Sequence, residues 1–386
     1  MHAGAATVAW WLAALALAAA RGGPADREQA LSRLQEVFGL PGRDARPHGR
    51  HEAPPQFMTE LYDAVAGPSG LARGSSPYDA EVVRSFIERD NSHEQFFFFN
   101  ITGLDPGERV LEAELHLFRV RAPPKEAHRV FPSSPDCLLH VYQVLDSSAL
   151  SQPDLQRLLS VHYISRGGSG WLVVNVKQAV LDWVGGRRPN LGLLVVASDV
   201  FGQPVALSVA RRGRHYGSKQ PVLVLFDDYG RRPPETSASG SGPGPADKER
   251  AAGWRARRSL SVSTEESPRG ESPRAPDNIN SSVPECSRYP LYVNFSEIGW
   301  DSWIVAPEGY MAHQCKGPCD FPLGQGQAPT NHATVQSIMH ELKEGVAKPC
   351  CVPTSLASFA VLYLDDQMNV VLKKYEDMVA EGCGCQ

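Results

Sequence analysis

Apolar residues along the chain fall into blocks whose spacing changes from region to region. Thr7 to Ala20 is an unbroken apolar run (TVAWWLAALALAAA) ending in small alanines before Arg21, the pattern of a secretory signal peptide cut near Ala20. Its fourteen residues are too few for a membrane anchor. Asp26 to Phe38 has helical spacing, with Leu31, Leu34, Val37 and Phe38 on one stripe. Gln95 to Ile101, with Phe96 to Phe99 in series, reads as a strand too apolar on both sides to be exposed. Val110 to Val120 and Gln220 to Phe226 read as further strands. In the C-terminal part, Leu291 to Phe295 and Ile304-Val305 fit the strands of a first finger. Val361 to Leu364 and Val370 to Leu372 fit a second, turned at Asp365 to Asn369. Between them Asn331 to Lys343 predicts a helix capped by Thr330, with Val335, Ile338, Met339 and Leu342 on one stripe.

Residues 229 to about 285 break this patterning. They are rich in Pro, Gly, Ser and charge, bury almost nothing, and read as a flexible linker between two folded parts. At 386 residues and 42% hydrophobic content the chain can hold both. Inside the linker lies Arg255-Ala-Arg257-Arg258, followed by Ser259. An extended basic tetrad of this kind can enter a convertase cleft, which a folded segment could not. Arg211-Arg212-Gly213-Arg214 is a weaker match, because strand-like segments on both sides make it a turn inside a folded domain. The expected division is 1–20 signal peptide, 21–258 N-terminal pro-segment and 259–386 released module.

Cysteine usage sharpens the picture. Seven of eight cysteines lie in the last 101 residues: Cys286, Cys315, Cys319, the adjacent Cys350 and Cys351, Cys383 and Cys385, while Cys137 stands alone upstream. Seven is odd, so internal pairing leaves one thiol for an intermolecular bond in a secreted chain. Cys350 and Cys351 cannot reach relaxed disulfide geometry with each other and take different partners. Zinc is the competing use of clustered cysteines, disfavoured by the CxxxC and CxC spacings and an oxidising compartment. Three sequons agree with export: Asn100-Ile-Thr102, Asn280-Ser-Ser282 and Asn294-Phe-Ser296.

Residues 286–386 resemble the mature domain of a bone morphogenetic protein, in the transforming growth factor-β superfamily, with the anti-dorsalising morphogenetic proteins as the subgroup. The matching text is Pro290-Leu-Tyr-Val-Asn-Phe, Gly299-Trp-Asp-Ser-Trp303-Ile-Val-Ala-Pro307, Thr330-Asn-His-Ala333, Cys350-Cys-Val-Pro-Thr354, Val361-Leu-Tyr-Leu364 and the closing Cys383-Gly-Cys385. Pro54 to Tyr62, Val83-Arg-Ser-Phe86 and the Trp171 to Trp183 segment are similar to the propeptides of the same family. The resemblance implies a small disulfide-rich all-β cystine-knot domain, two hairpin fingers plus one helix, preceded by an α+β propeptide. It pairs Cys315 with Cys383 and Cys319 with Cys385 in a ring threaded by Cys286–Cys351, and leaves Cys350 for the interchain bridge. The threading bridge closes about 65 residues, worth roughly 4 kcal/mol in the chain-entropy model.

The same resemblance places Trp300, Trp303, Phe321 and Leu323 in a concave site for type I receptor kinases, and Ala306, Pro307, Ala360, Leu362 and Leu372 in a convex knuckle site for type II receptors. The expected product is a secreted homodimer, or a heterodimer with a related ligand, that triggers Smad signalling through both receptor types. Its own propeptide and extracellular antagonists are further partners, and no nucleic acid is expected. The alternative is a cystine-knot antagonist that sequesters related ligands. Two departures stand out: His313-Gln314 replaces two aromatics, and the loop Gly324 to Pro329 lacks the usual sequon and carries two pliable glycines.

Nothing in the chain resembles a nucleophile elbow, a phosphate loop or a histidine-bearing zinc motif, so no enzyme, cofactor or metal is expected. Residues 259–386 hold eight Lys and Arg against sixteen Asp and Glu, a net charge of −8. Sulfated glycans are polyanions, so heparan sulfate binding by the released module should be weak or absent.

Overall fold

The computed structural model describes residues 29, 31–33, 53–89, 93–104, 108–121, 136–165, 168–211, 217–228 and 285–386. The signal-peptide, linker and convertase-site assignments (Arg255, Arg257, Arg258, Ser259), together with Asn280 and Arg212 to Arg214, lie outside the described residues. Of the helix expected over 26–38, Gln29 and Leu31 to Arg33 are described, and they are helical.

After the proline pair Pro54-Pro55, helix α1 runs over Gln56–Val65 and ends where Ala66 turns extended. In the N-terminal region follow β1 (Val82–Ile87), β2 (Phe96–Phe97), β3 (Arg109–Arg119), β4 (Asp136–Gln143), β5 (Arg157–Ser165) and β6 (Gly170–Asn175). Next come α2 (Lys177–Val184), β7 (Leu193–Ser198), β8 (Pro204–Val205) and β9 (Val222–Asp228). Two sheets enclose a core of Phe86, Leu115, Leu117, Leu139, Val141, Val195, Leu223 and Leu225, closed by Val180 and Trp183 of α2. Phe97 and Phe99 enter this core while Phe98 is 38% exposed. Of the strand expected over 95–101 only Phe96–Phe97 pairs as β2, and the run buries alternate side chains rather than both faces as expected from composition.

The cysteine-rich module contains β10 (Ser287–Tyr289), β11 (Tyr292–Asn294), β12 (Ile304–Ala306), β13 (Gly309–Met311), β14 (Gln314–Lys316), helix α3 (Asn331–Leu342), β15 (Cys351–Leu364) and β16 (Val370–Cys385). Thr330 caps α3, its hydroxyl oxygen accepting from Ala333 N–H at 3.1 Å. Strand β12 differs from the sequence expectation: it pairs with β15 of the second finger, Ile304 opposite Tyr363, while β11 and β13 form the first finger by themselves. The loop before α3 is also less pliable than its glycines suggest. Gln327 is buried and its side-chain oxygen accepts from Gly324 N–H at 3.1 Å.

The two regions share one sheet. Its order is β12-β15-β16-β1-β9-β3-β6, so β1 stands between finger strand β16 and β9, antiparallel to both. Val82 lies opposite Lys373 and Ser85 opposite Val370, and Ser85 donates its hydroxyl to Val370 O at 3.0 Å. A continuous apolar run such as Val222-Leu-Val-Leu-Phe226 follows from burial on both faces. Leu223 and Leu225 enter the sandwich core, while Val222, Val224 and Phe226 turn toward α1.

Candidate receptor-binding surface

Helix α1 lies across the seam of this sheet. Phe57, Met58, Leu61, Tyr62 and Val65 project from one stripe and are all buried. They meet Val222, Val224 and Phe226 of β9, Val83 of β1, and Ala360, Leu362, Leu364, Val370 and Leu372 of the second finger. Each large side chain buried here contributes about 1.5–3 kcal/mol. The first turn of α1 rests on the N-terminal region itself, the Phe57 ring centred 4.5 Å from that of His116. Glu114 sits 2.9 Å from His116 Nε2 and accepts the Tyr78 hydroxyl at 3.0 Å. Burial, with Asp63 adding, pushes the Tyr62 phenol up to about 12, so it stays neutral at the seam.

A second contact lies beyond α1. Ala360 N–H donates to Gly70 O at 2.8 Å and Ala72 N–H to Ser358 O at 3.1 Å, extending the edge of β15 by one short antiparallel bridge, Leu71 opposite Phe359. Gly70 has φ +73°, and a Cβ there would lie 2.2 Å from the Phe359 ring and 2.9 Å from Pro307. At the hairpin tip Arg89 donates to Gln367 O, and Gln367 Nε2 donates to Thr102 Oγ1 at 3.1 Å.

Ala306, Pro307, Ala360, Leu362 and Leu372 are thus brought together, buried or half-buried, on the finger face covered by α1 and residues 68–72. The other predicted set is not. Trp300 is buried on the opposite face among Phe295, Tyr310 and Phe359, whereas Trp303 is buried in the α1 cluster. Phe321 is exposed, and Leu323 packs on the knot cysteines. The expectation of one shared face for both tryptophans is corrected for this chain. Residues 295–303 are a turn, with Trp300 N–H donating to Phe295 O and Trp303 N–H to Trp300 O. That turn sends side chains three apart to opposite sides of the sheet. The missed residues are those of α1: Phe57, Met58, Leu61, Tyr62 and Val65 follow helical spacing in the sequence itself.

At the base of the module Cys286 is bonded to Cys351, Cys315 to Cys383 and Cys319 to Cys385. Gly317, at φ +132°, leaves room for the threading strand: a Cβ would lie 2.5 Å from Glu285 O and 2.8 Å from Cys286 Cα. Cys286, Cys319 and Cys385 sulfurs cluster within 4.8 Å, but bonded sulfurs offer no thiolate to a cation. Cys350 is exposed and outside the three bridges. Its backbone is held in place, its N–H donating to Gln386 O at 2.8 Å and its carbonyl accepting from Gln386 N–H at 2.9 Å. On α3, Val335 is 60% and Leu342 76% exposed, so the stripe read from sequence is bare in a single chain. Cys137 is buried in β4.

Residues 25–226 match the model of the TGF-beta propeptide, and residues 285–385 that of the transforming growth factor beta like domain. The chain belongs to the transforming growth factor-β family. It is 33% identical over 387 residues to bone morphogenetic protein 4 of Oryctolagus cuniculus, and 31% identical over 388 residues to bone morphogenetic protein 4 of Rattus norvegicus. Each alignment covers 92% of this chain and 85% of the relative, which sets the chain in the bone morphogenetic protein branch. It is a growth factor made with its propeptide, and not an enzyme. No helix among the described residues is long and apolar enough to cross a membrane.

Proposed function

We propose that the chain is exported, cut after Arg258, and released as a disulfide-linked dimer that binds type I and type II receptor serine/threonine kinases and triggers Smad phosphorylation. The observation that carries this reading is the fate of the second finger's convex face. Ala360, Leu362 and Leu372 form a flat aliphatic strip that is buried under α1 in the proform and becomes solvent-accessible once the propeptide leaves. An apolar strip bared by processing suits a contact with a second protein. Trp300, Phe321 and Leu323 are the candidates for type I contact, while Trp303, buried with the strip under α1, becomes available together with it. The test is Smad phosphorylation in responsive cells. Purified mature dimer should give a signal and uncut proform much less. No signal from the dimer, together with blockade of a related ligand, would make it an antagonist.

Two outcomes follow for the processing steps. Arg258→Ala should abolish release of a C-terminal fragment beginning at Ser259, seen on a reducing gel. The same fragment from the mutant would move the main cut elsewhere, with Arg214 the first place to look. Cys350→Ser should turn a covalent dimer into a species that runs as monomer without reductant while the three internal bridges and secretion persist, since the exposed Cys350 is in none of them. Covalent dimers persisting in this variant would assign the interchain bond to another cysteine. Homodimer or heterodimer, the exposed α3 stripe is the face each chain offers its partner.

A further inference from the structure

The loop between β2 and β3 places a glycosylation signal against the tip of the second finger. Asn100 is exposed, and its Oδ1 accepts from Thr102 N–H at 3.2 Å and from the Thr102 hydroxyl at 2.8 Å. That Asx turn fixes the carboxamide with Nδ2 on an exposed side chain. Thr102 Oγ1 also accepts from Gln367 Nε2 at 3.1 Å, so the sequon touches the growth factor directly. The loop is gripped on its other side as well, Arg84 Nη1 donating to Gly103 O at 2.7 Å. A Cβ at Gly103 would sit 3.6 Å from the Gln367 carboxamide, so loop and tip are in van der Waals contact.

The tip is a polar surface. Asp365 accepts from the N–H groups of Gln367 and Asn369 at 2.9 and 2.8 Å, and from Asn369 Nδ2 at 2.9 Å. Its one apolar side chain, Met368, packs against the α1 cluster, and the polar groups around it suit hydroxyl-rich sugar rings. The other described sequon differs: Asn294 is half-buried in a strand of the growth factor itself. We propose that Asn100 carries an N-linked glycan that covers the 365–369 tip of the second finger while the propeptide is in place. In forming it, Asn100 Nδ2 bonds to the anomeric carbon of an oligosaccharide held on a lipid pyrophosphate. The lipid pyrophosphate leaves with the bonding pair, and the amide nitrogen gives up one proton. The cover departs with the propeptide, so the released growth factor has a bare tip. The proposal rests on the sheet and loop contacts of the proform and is independent of the receptor reading.

The test uses secreted full-length proform. Glycopeptide mass spectrometry should find sugar on Asn100, and hydrogen exchange should then compare four samples: native, enzymatically deglycosylated, Asn100→Gln and Gln367→Ala. Loss of the sugar, by enzyme or by substitution, should speed exchange of the 365–369 amides about tenfold and leave the middle of β15 unchanged. The enzymatic sample keeps the test intact should Asn100→Gln lower secretion. Gln367→Ala retains the sugar and should show a smaller change. An unmodified Asn100 overturns the proposal. So does equal exchange with and without sugar, or a Gln367→Ala effect as large as that of sugar removal.

Discussion

Replacing Gly70 by valine should detach the second finger from its propeptide. Gly70 holds φ +73° while its carbonyl accepts from Ala360 N–H, and the space its side chain would fill belongs to Phe359 and Pro307. A β-branched residue is a strong outlier at positive φ, which costs about 1–3 kcal/mol. Overlap with the Phe359 ring adds a comparable amount for overpacking. Together these weaken the propeptide–growth factor contact roughly 100-fold or more. The released growth factor lacks residue 70 and should be unchanged. Co-elution of the two parts after cleavage checks this, with Gly74→Ala as control, since a Cβ there meets only Ala64 O at an ordinary 3.6 Å. A Gly70→Val complex that co-elutes as well as wild type would remove residues 68–72 from the clasp.

What could be read from sequence and what could not divide by the range of the interaction. The second-finger hairpin, the α3 stripe and its Thr330 cap are written in neighbouring residues, and periods of 2 and 3.6 reveal them. Strands β3 and β9 are equally plain from their apolar runs, whereas the apolar residues of β4 and β5 alternate with polar ones too irregularly along the sequence to announce themselves. Pairing of β1 with β16 joins residues about 285 positions apart, and no local pattern carries such a register. The same limit hid the pairing of β12 with β15. Trp300 and Trp303 show a different failure: a turn separates faces that a strand or helix would keep in a predictable relation. The five aliphatic positions of the convex face were named from family likeness, but nothing in their spacing says what lies on them. Only α1 and its contacts do, and the helical spacing of Phe57, Met58, Leu61, Tyr62 and Val65 is the local signal that marks α1.

The proform should lose stability as pH rises from mildly acidic to neutral, and Asp227→Asn should remove that loss. Asp227, next to the last residue of β9, is fully buried, and neither carboxyl oxygen has a hydrogen-bond partner among the described residues. Burial first, and then the Glu108 carboxylate, push its pKa from 3.8 to about 7, with Arg84 opposing. Arg84 is itself engaged with Glu108 and with the loop carbonyl of Gly103, so one cation serves two acids. The folded value lies above the unfolded one, so the protonated form favours the fold. That stability is fully present below pH 3.8 and declines as pH rises to about 7, after which it is gone. A shift of about three units corresponds to roughly 4 kcal/mol over the whole window, of which about 2 kcal/mol falls between pH 5.5 and 7.5. Arg84 belongs to β1, the strand that also pairs with β16, so ionisation of Asp227 strains the element that holds the finger. Urea midpoints of wild type and Asp227→Asn at pH 5.5 and 7.5 decide the matter. The wild-type midpoint should be lower at pH 7.5, and the variant's should differ much less between the two. Equal pH dependence in both proteins would show that Asp227 is ionised throughout and that the seam is insensitive to its charge.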